Sequence, residues 1–125
     1  MPMSLLVTAI VFVLAGILHF IMPRVYVAIM PQWLPSPLLL VYVSGAFEIA
    51  GGVGLLVPAV RTAAAVGLII VLVAVFPANV EMLRSAQSRG ASPLFIAACW
   101  LRLPLQAVLI WWVWRVSHPA RDLMA

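Results

Sequence analysis

The chain has 125 residues, of which 66% are hydrophobic and only 8% charged, where a soluble domain carries about 25% charge. The net charge of +4 comes from seven arginines, no lysine and three acids, and the arginines are scattered rather than gathered into a phosphate-tracking patch. These figures exclude a water-soluble globular enzyme, a disordered tail and a nucleic-acid binder, and they indicate an integral membrane protein.

A bilayer core near 30 Å needs about 20 apolar residues per helix. Four segments meet that length: roughly 3–22, 38–57, 62–80 and 94–114. They are expected to be helices, because lipid leaves exposed backbone groups unsatisfied. The predicted fold is therefore all-α, a four-helix transmembrane bundle spanning residues 1–125 as one membrane domain. The first segment is read as a span rather than a cleaved leader. It lacks a basic start, its apolar run is long, and His19-Phe20 stands where small residues precede cleavage.

The first link, Pro23 to Pro37, holds Pro31, Pro35 and Trp33 among aliphatic residues and reads as an interfacial segment lying against the membrane. The second, Pro58-Ala-Val-Arg61, is a tight turn that makes its helices antiparallel neighbours. The third, residues 81–93, reads as a polar link ending in Ser92-Pro93, where proline suits a helix start. Glu81 and Asp122 read as solvated charges in a link and a tail. An even number of crossings places both termini on one side with Arg61, Arg115 and Arg121. Arg24, Arg84 and Arg89 lie opposite, so counting arginines leaves the orientation tied. The paired tail arginines and the longer opposite links favour cytoplasmic termini. Trp111, Trp112 and Trp114 mark the headgroup level at the end of the fourth helix.

Ala46, Ala50 and Gly54 recur every four residues on the second helix. Ala63, Ala64, Ala65 and Gly67 stand near the same end of the third. Small residues at this spacing let helix backbones approach closely. Packing within the chain is favoured over a homodimer seam, and a second copy on another face stays open. The lone cysteine, Cys99, forms no intrachain disulfide or Cys-x-x-Cys pair and reads as a small core residue.

Lipid penalises five residues: His19, Glu48, Asn79, Arg102 and Gln106. An ionised side chain at mid-bilayer costs at least about 2.5–3.5 kcal/mol, so it turns inward and finds a partner. Counted from the side that carries the first and third links, Glu48 is about 15 Å deep, Arg102 about 12 Å and His19 about 5 Å, at a rise of about 1.5 Å per residue. The similar depths and opposite charges predict a Glu48–Arg102 ion pair. All four helices then contribute to one polar pocket. Pro77 and Pro104 should free the carbonyls of Val73 and Trp100. Such a pair serves equally to fix helix register. His19 also fits a satisfied interfacial histidine, Asn79 a helix-end cap, and Gln106 interhelical glue. The residues lack the ligand cluster of a metal site. His19 and His118 stand at opposite membrane faces, which excludes a bis-histidine haem within one chain.

The stretches Ala15-Gly-Ile-Leu-His-Phe20 with Pro23, Pro31-Gln-Trp-Leu-Pro35, Ser44-Gly-Ala-Phe-Glu48 with Gly51-Gly52, Phe76-Pro-Ala-Asn79 and Arg102-Leu-Pro-Leu-Gln106 together resemble the DoxX family of small four-helix membrane proteins. The resemblance runs from about residue 8 to residue 114. It implies a multi-pass protein of the bacterial or archaeal inner membrane that acts as a redox accessory, since the family's name comes from association with a thiosulfate:quinone oxidoreductase. It supplies no catalytic mechanism, and a stand-alone enzyme is not expected. Three readings follow: a redox-associated subunit whose pocket binds a quinone or similar lipophilic molecule, a membrane scaffold for a soluble oxidoreductase, and an oligomeric small-molecule transporter.

Overall fold

The computed structural model describes residues 2–28, 30 and 33–118. The elements in chain order are α1 (Met3–Ile21), α2 (Pro23–Ala28), α3 (Pro37–Leu55), a single 3-10 turn (Pro58–Val60), α4 (Arg61–Ser88) and α5 (Pro93–Ser117). Four of them, α1, α3, α4 and α5, are long and apolar enough to cross a membrane. No strand occurs among the described residues. Residues Pro31 and Gln32 of the first link, and Arg121 and Asp122 of the tail, lie outside the described residues.

The helix boundaries follow local chemistry. Pro37 and Pro93 stand in the first turn of α3 and α5, where a missing N–H costs nothing and the fixed φ already suits a helix. The Ser92 hydroxyl accepts from the Phe95 N–H at 3.3 Å, which satisfies one donor at the start of α5. At the tight turn, Arg61 Nε donates to the Leu55 carbonyl at 2.6 Å, so the residue that opens α4 also closes the end of α3.

The third link is shorter than the sequence suggests. α4 runs on to Ser88 instead of stopping near Val80, leaving only residues 89–92 between α4 and α5. Met82, Leu83, Arg84, Ala86 and Gln87 are good helix formers, and a salt bridge between Glu81 and Arg84 at 2.5 Å spans one turn. Gly90 then ends the helix with φ +67°. The Ala91 N–H reaches back to the Ala86 carbonyl at 2.9 Å, the hydrogen bond of a Schellman stop. At 28 residues, α4 is about 42 Å long, well over a hydrocarbon core of about 30 Å.

α1 packs on α3, α3 on α4 and α4 on α5, while α1 and α5 touch lightly. One half of the bundle is closed. There Leu5, Ala9 and Phe12 of α1, Leu55 of α3, Ala65, Leu68 and Leu72 of α4, and Val113 and Val116 of α5 form one core. Trp112 Nε1 donates to Thr8 Oγ1 at 2.7 Å and ties α5 to α1. In the other half, Met82, Leu83 and Ala86 of α4 pack with Cys99 of α5, flanked by Ala91, Ile96 and Leu103.

Glycines set the distance between α1 and α3. A Cβ on Gly16 would stand 2.6 Å from the Gly45 carbonyl oxygen, and one on Gly52 would stand 2.9 Å from the Ala9 carbonyl oxygen. The backbones therefore touch along a Gly45–Gly52 ridge, two turns apart on α3. This corrects the predicted small face. Of Ala46, Ala50 and Gly54, only Gly54 makes a close approach, to Ala64, whereas Ala46 and Ala50 are exposed. A Cβ on Gly67 would meet nothing within 4 Å.

Candidate functional site

Gly16 fixes where the polar residues of α1 and α3 meet. In the register it sets, Gly45 lies level with His19, whose Cβ would be 2.6 Å from a Cβ on Gly45. Gly45 is about 12 Å from the first residue of α3, but His19 is only about 3 Å from the end of α1. α1 thus stops about 9 Å short of the start of α3, and α2 packs against α3 in the remaining space. This step brings Glu48, one turn further along α3, into contact with His19 of the shorter helix.

The predicted Glu48–Arg102 ion pair does not form. Glu48 Oε2 faces His19 Nδ1 at 3.3 Å, and Arg102 Nη1 instead points to the Met82 sulfur at 3.7 Å, a weak acceptor. Depth along the membrane gives the height of a side chain but not its direction around the helix. Arg102 is exposed on α5, with no carboxylate within 4 Å among the described residues.

The other four polar residues divide into two groups. On α4 and α5, Asn79 Nδ2 donates to Gln106 Oε1 at 2.7 Å, and Gln106 Nε2 donates to the Leu72 carbonyl. That carbonyl precedes the Val73 carbonyl, which Pro77 deprives of its helical donor. Both amides are buried, and each is hydrogen-bonded. On α1 and α3, His19 is buried and Glu48 nearly so. His19 Nδ1 lies 2.7 Å from the Ala15 carbonyl oxygen. Glu48 Oε2 is buried with no hydrogen-bond partner. No hydrogen bond or ion pair joins the two groups among the described residues.

Tyr26 of α2 completes the second group and was not visible as a site residue in the sequence. Its ring stacks on His19 with centroids 4.0 Å apart and planes 20° apart. Its phenol is pushed above the usual tyrosine range, first by burial and then by the nearby negative charge of Glu48, with Arg102 opposing. Glu48 and Arg102 therefore both act on this hydroxyl without touching each other. Phe20 and Tyr42 form a second stacked pair beside it, at 5.3 Å. The signal that could have revealed Tyr26 is its place three residues after Pro23, on a short helix that the proline starts.

No curated protein and no solved structure matches the chain. A family model described as a domain of unknown function, DUF8561, matches residues 8–117, and the chain belongs to that family.

Proposed function

We propose that this chain is a redox-associated accessory protein of the inner membrane whose α1–α3 site holds a quinone or a similar lipophilic molecule with a polar head. The observation that carries this reading is the buried Glu48 oxygen with no hydrogen-bond donor, beside a buried histidine and under a stacked phenol. A buried polar atom without a partner costs about 1–3 kcal/mol, and a bound molecule that supplies the missing hydrogen bond removes that cost. His19, Glu48 and Tyr26 hold the head in this reading, and Arg102 provides positive charge from α5. Asn79 and Gln106 hold α4 to α5 instead. The likeness to DoxX proteins supports the redox association.

In the bilayer, both termini face the cytoplasm and α2 lies at the opposite interface. Exposed Trp111 and Trp114 support a headgroup boundary at the end of α5. The test is the lipid extract of purified protein. Wild type retains quinone, and His19→Ala and Glu48→Leu lose it. Wild type that carries none rejects the reading.

A second reading, a scaffold for a soluble oxidoreductase, draws on the length of α4. Its end from Glu81 to Ser88 outruns the hydrocarbon core, and Arg84 there is exposed. Crosslinking from Arg84 and Gln87 in native membranes captures an oxidoreductase if this end is the docking point. A solitary chain contradicts it.

A further inference from the structure

We infer that the α1–α3 site takes its guest as a hydrogen-bond donor, and so holds the hydroxylated, reduced form of a quinone in preference to the carbonyl form. This rests on the reading of the site as a quinone site and adds the chemical form of the molecule it selects.

The inference comes from counting donors. The Ala15 carbonyl can only accept, so the 2.7 Å contact requires a proton on His19 Nδ1. That proton is committed there, and the 3.3 Å approach of Nδ1 to Glu48 Oε2 leaves the carboxylate without a hydrogen bond. In the neutral ring, a proton on Nδ1 makes Nε2 an acceptor, and Nε2 has no hydrogen-bond partner among the described residues. Glu48 Oε2, the buried polar atom of the site without a partner, and the lone pair of His19 Nε2 are thus both acceptors, while the Tyr26 hydroxyl accepts as readily as it donates and serves either form. A quinone offers carbonyl oxygens, which are also acceptors and would set lone pairs against lone pairs. A quinol offers two hydroxyls. One donated to the carboxylate is a charge-assisted bond, roughly twice as strong as a neutral one. Apolar and stacking contacts differ little between the two oxidation levels of an aromatic-sized ring, so the preference resides in the hydrogen bonds. Arg102 is a donor that cannot accept, so it favours a carbonyl, but its guanidinium sits on α5 against Met82 and makes no ion pair with Glu48.

The experiment measures binding of a decyl-substituted benzoquinone and of its two-electron-reduced quinol to the full chain in lipid nanodiscs at pH 8. Wild type should bind the quinol at least tenfold more tightly. For a two-electron couple, tenfold tighter binding of the reduced form raises the midpoint potential of the bound molecule by about 30 mV. Glu48→Gln places an amide donor in the same volume and should narrow the preference to within twofold by strengthening quinone binding. Equal affinity of wild type for the two forms, or tighter binding of the quinone, overturns the donor inference and leaves the site reading intact. Failure of wild type to bind either form overturns the site reading itself.

Discussion

The two halves of the bundle are built on different terms. In the half around Leu5, Leu55, Leu68 and Val116, all four long helices meet in one apolar core, and the hydroxyl of Thr8 is used by the Trp112 indole. In the half around His19, Glu48 and Cys99, the helices work as two pairs. One pair, α4–α5, satisfies its polar groups internally through Asn79 and Gln106. The other, α1–α3, leaves a carboxylate oxygen unsatisfied. Lipid provides no water to repair such a defect, so a fold selected only for stability has no use for it. Under the proposed function, that difference separates what holds the helices together from what holds a guest.

Substitutions can break that comparison from either side, and the largest effect is expected in the closed half. Leu68→Ala empties a fully buried position that fills the space over Gly51. It should cost about 2–5 kcal/mol, read as a loss of thermal or denaturant stability in detergent, without selective loss of guest. Next comes Gly16→Ala. The new Cβ meets the Gly45 backbone oxygen at 2.6 Å, which cannot rotate away, so α1 and α3 must separate at a cost of about 1–3 kcal/mol. Because the same contact sets the level of His19 against Glu48, this variant should also lose the guest. Gln106→Leu unties α4 from α5 and should cost about 1 kcal/mol, in the range of interhelical hydrogen bonds in membranes, with the guest retained. Gly67→Ala is the counterpart of Gly16→Ala. Its Cβ meets nothing, and replacing a helical glycine should stabilise by about 0.5–1 kcal/mol.

The four spans were legible because apolar length alone decides them, and Pro37 and Pro93 marked two starts to within a residue. The end of α4 was not. Glu81, Arg84 and Gln87 read as a link on hydropathy, yet they are good helix residues, and Gly90 is what stops the chain. The five polar residues were also legible, since lipid makes any such residue conspicuous. Their pairing was not, because it depends on the rotation and offset of each helix. Those are set by Gly16 meeting Gly45, a contact between two residues without side chains. Counting Glu48 and His19 inward from a common membrane plane put them about 10 Å apart in depth. The early end of α1 removes that gap and makes room for Tyr26.

The central claim is that Glu48 serves a guest whereas Gln106 serves the fold. Retained quinone, measured in the same preparation as the midpoint of unfolding, tests it most directly when Glu48→Leu and Gln106→Leu are compared with wild type. The account predicts that Glu48→Leu loses the quinone with stability equal to or above that of wild type. It predicts that Gln106→Leu keeps the quinone and loses stability. Quinone retained by Glu48→Leu, or lost by a folded Gln106→Leu, would contradict it.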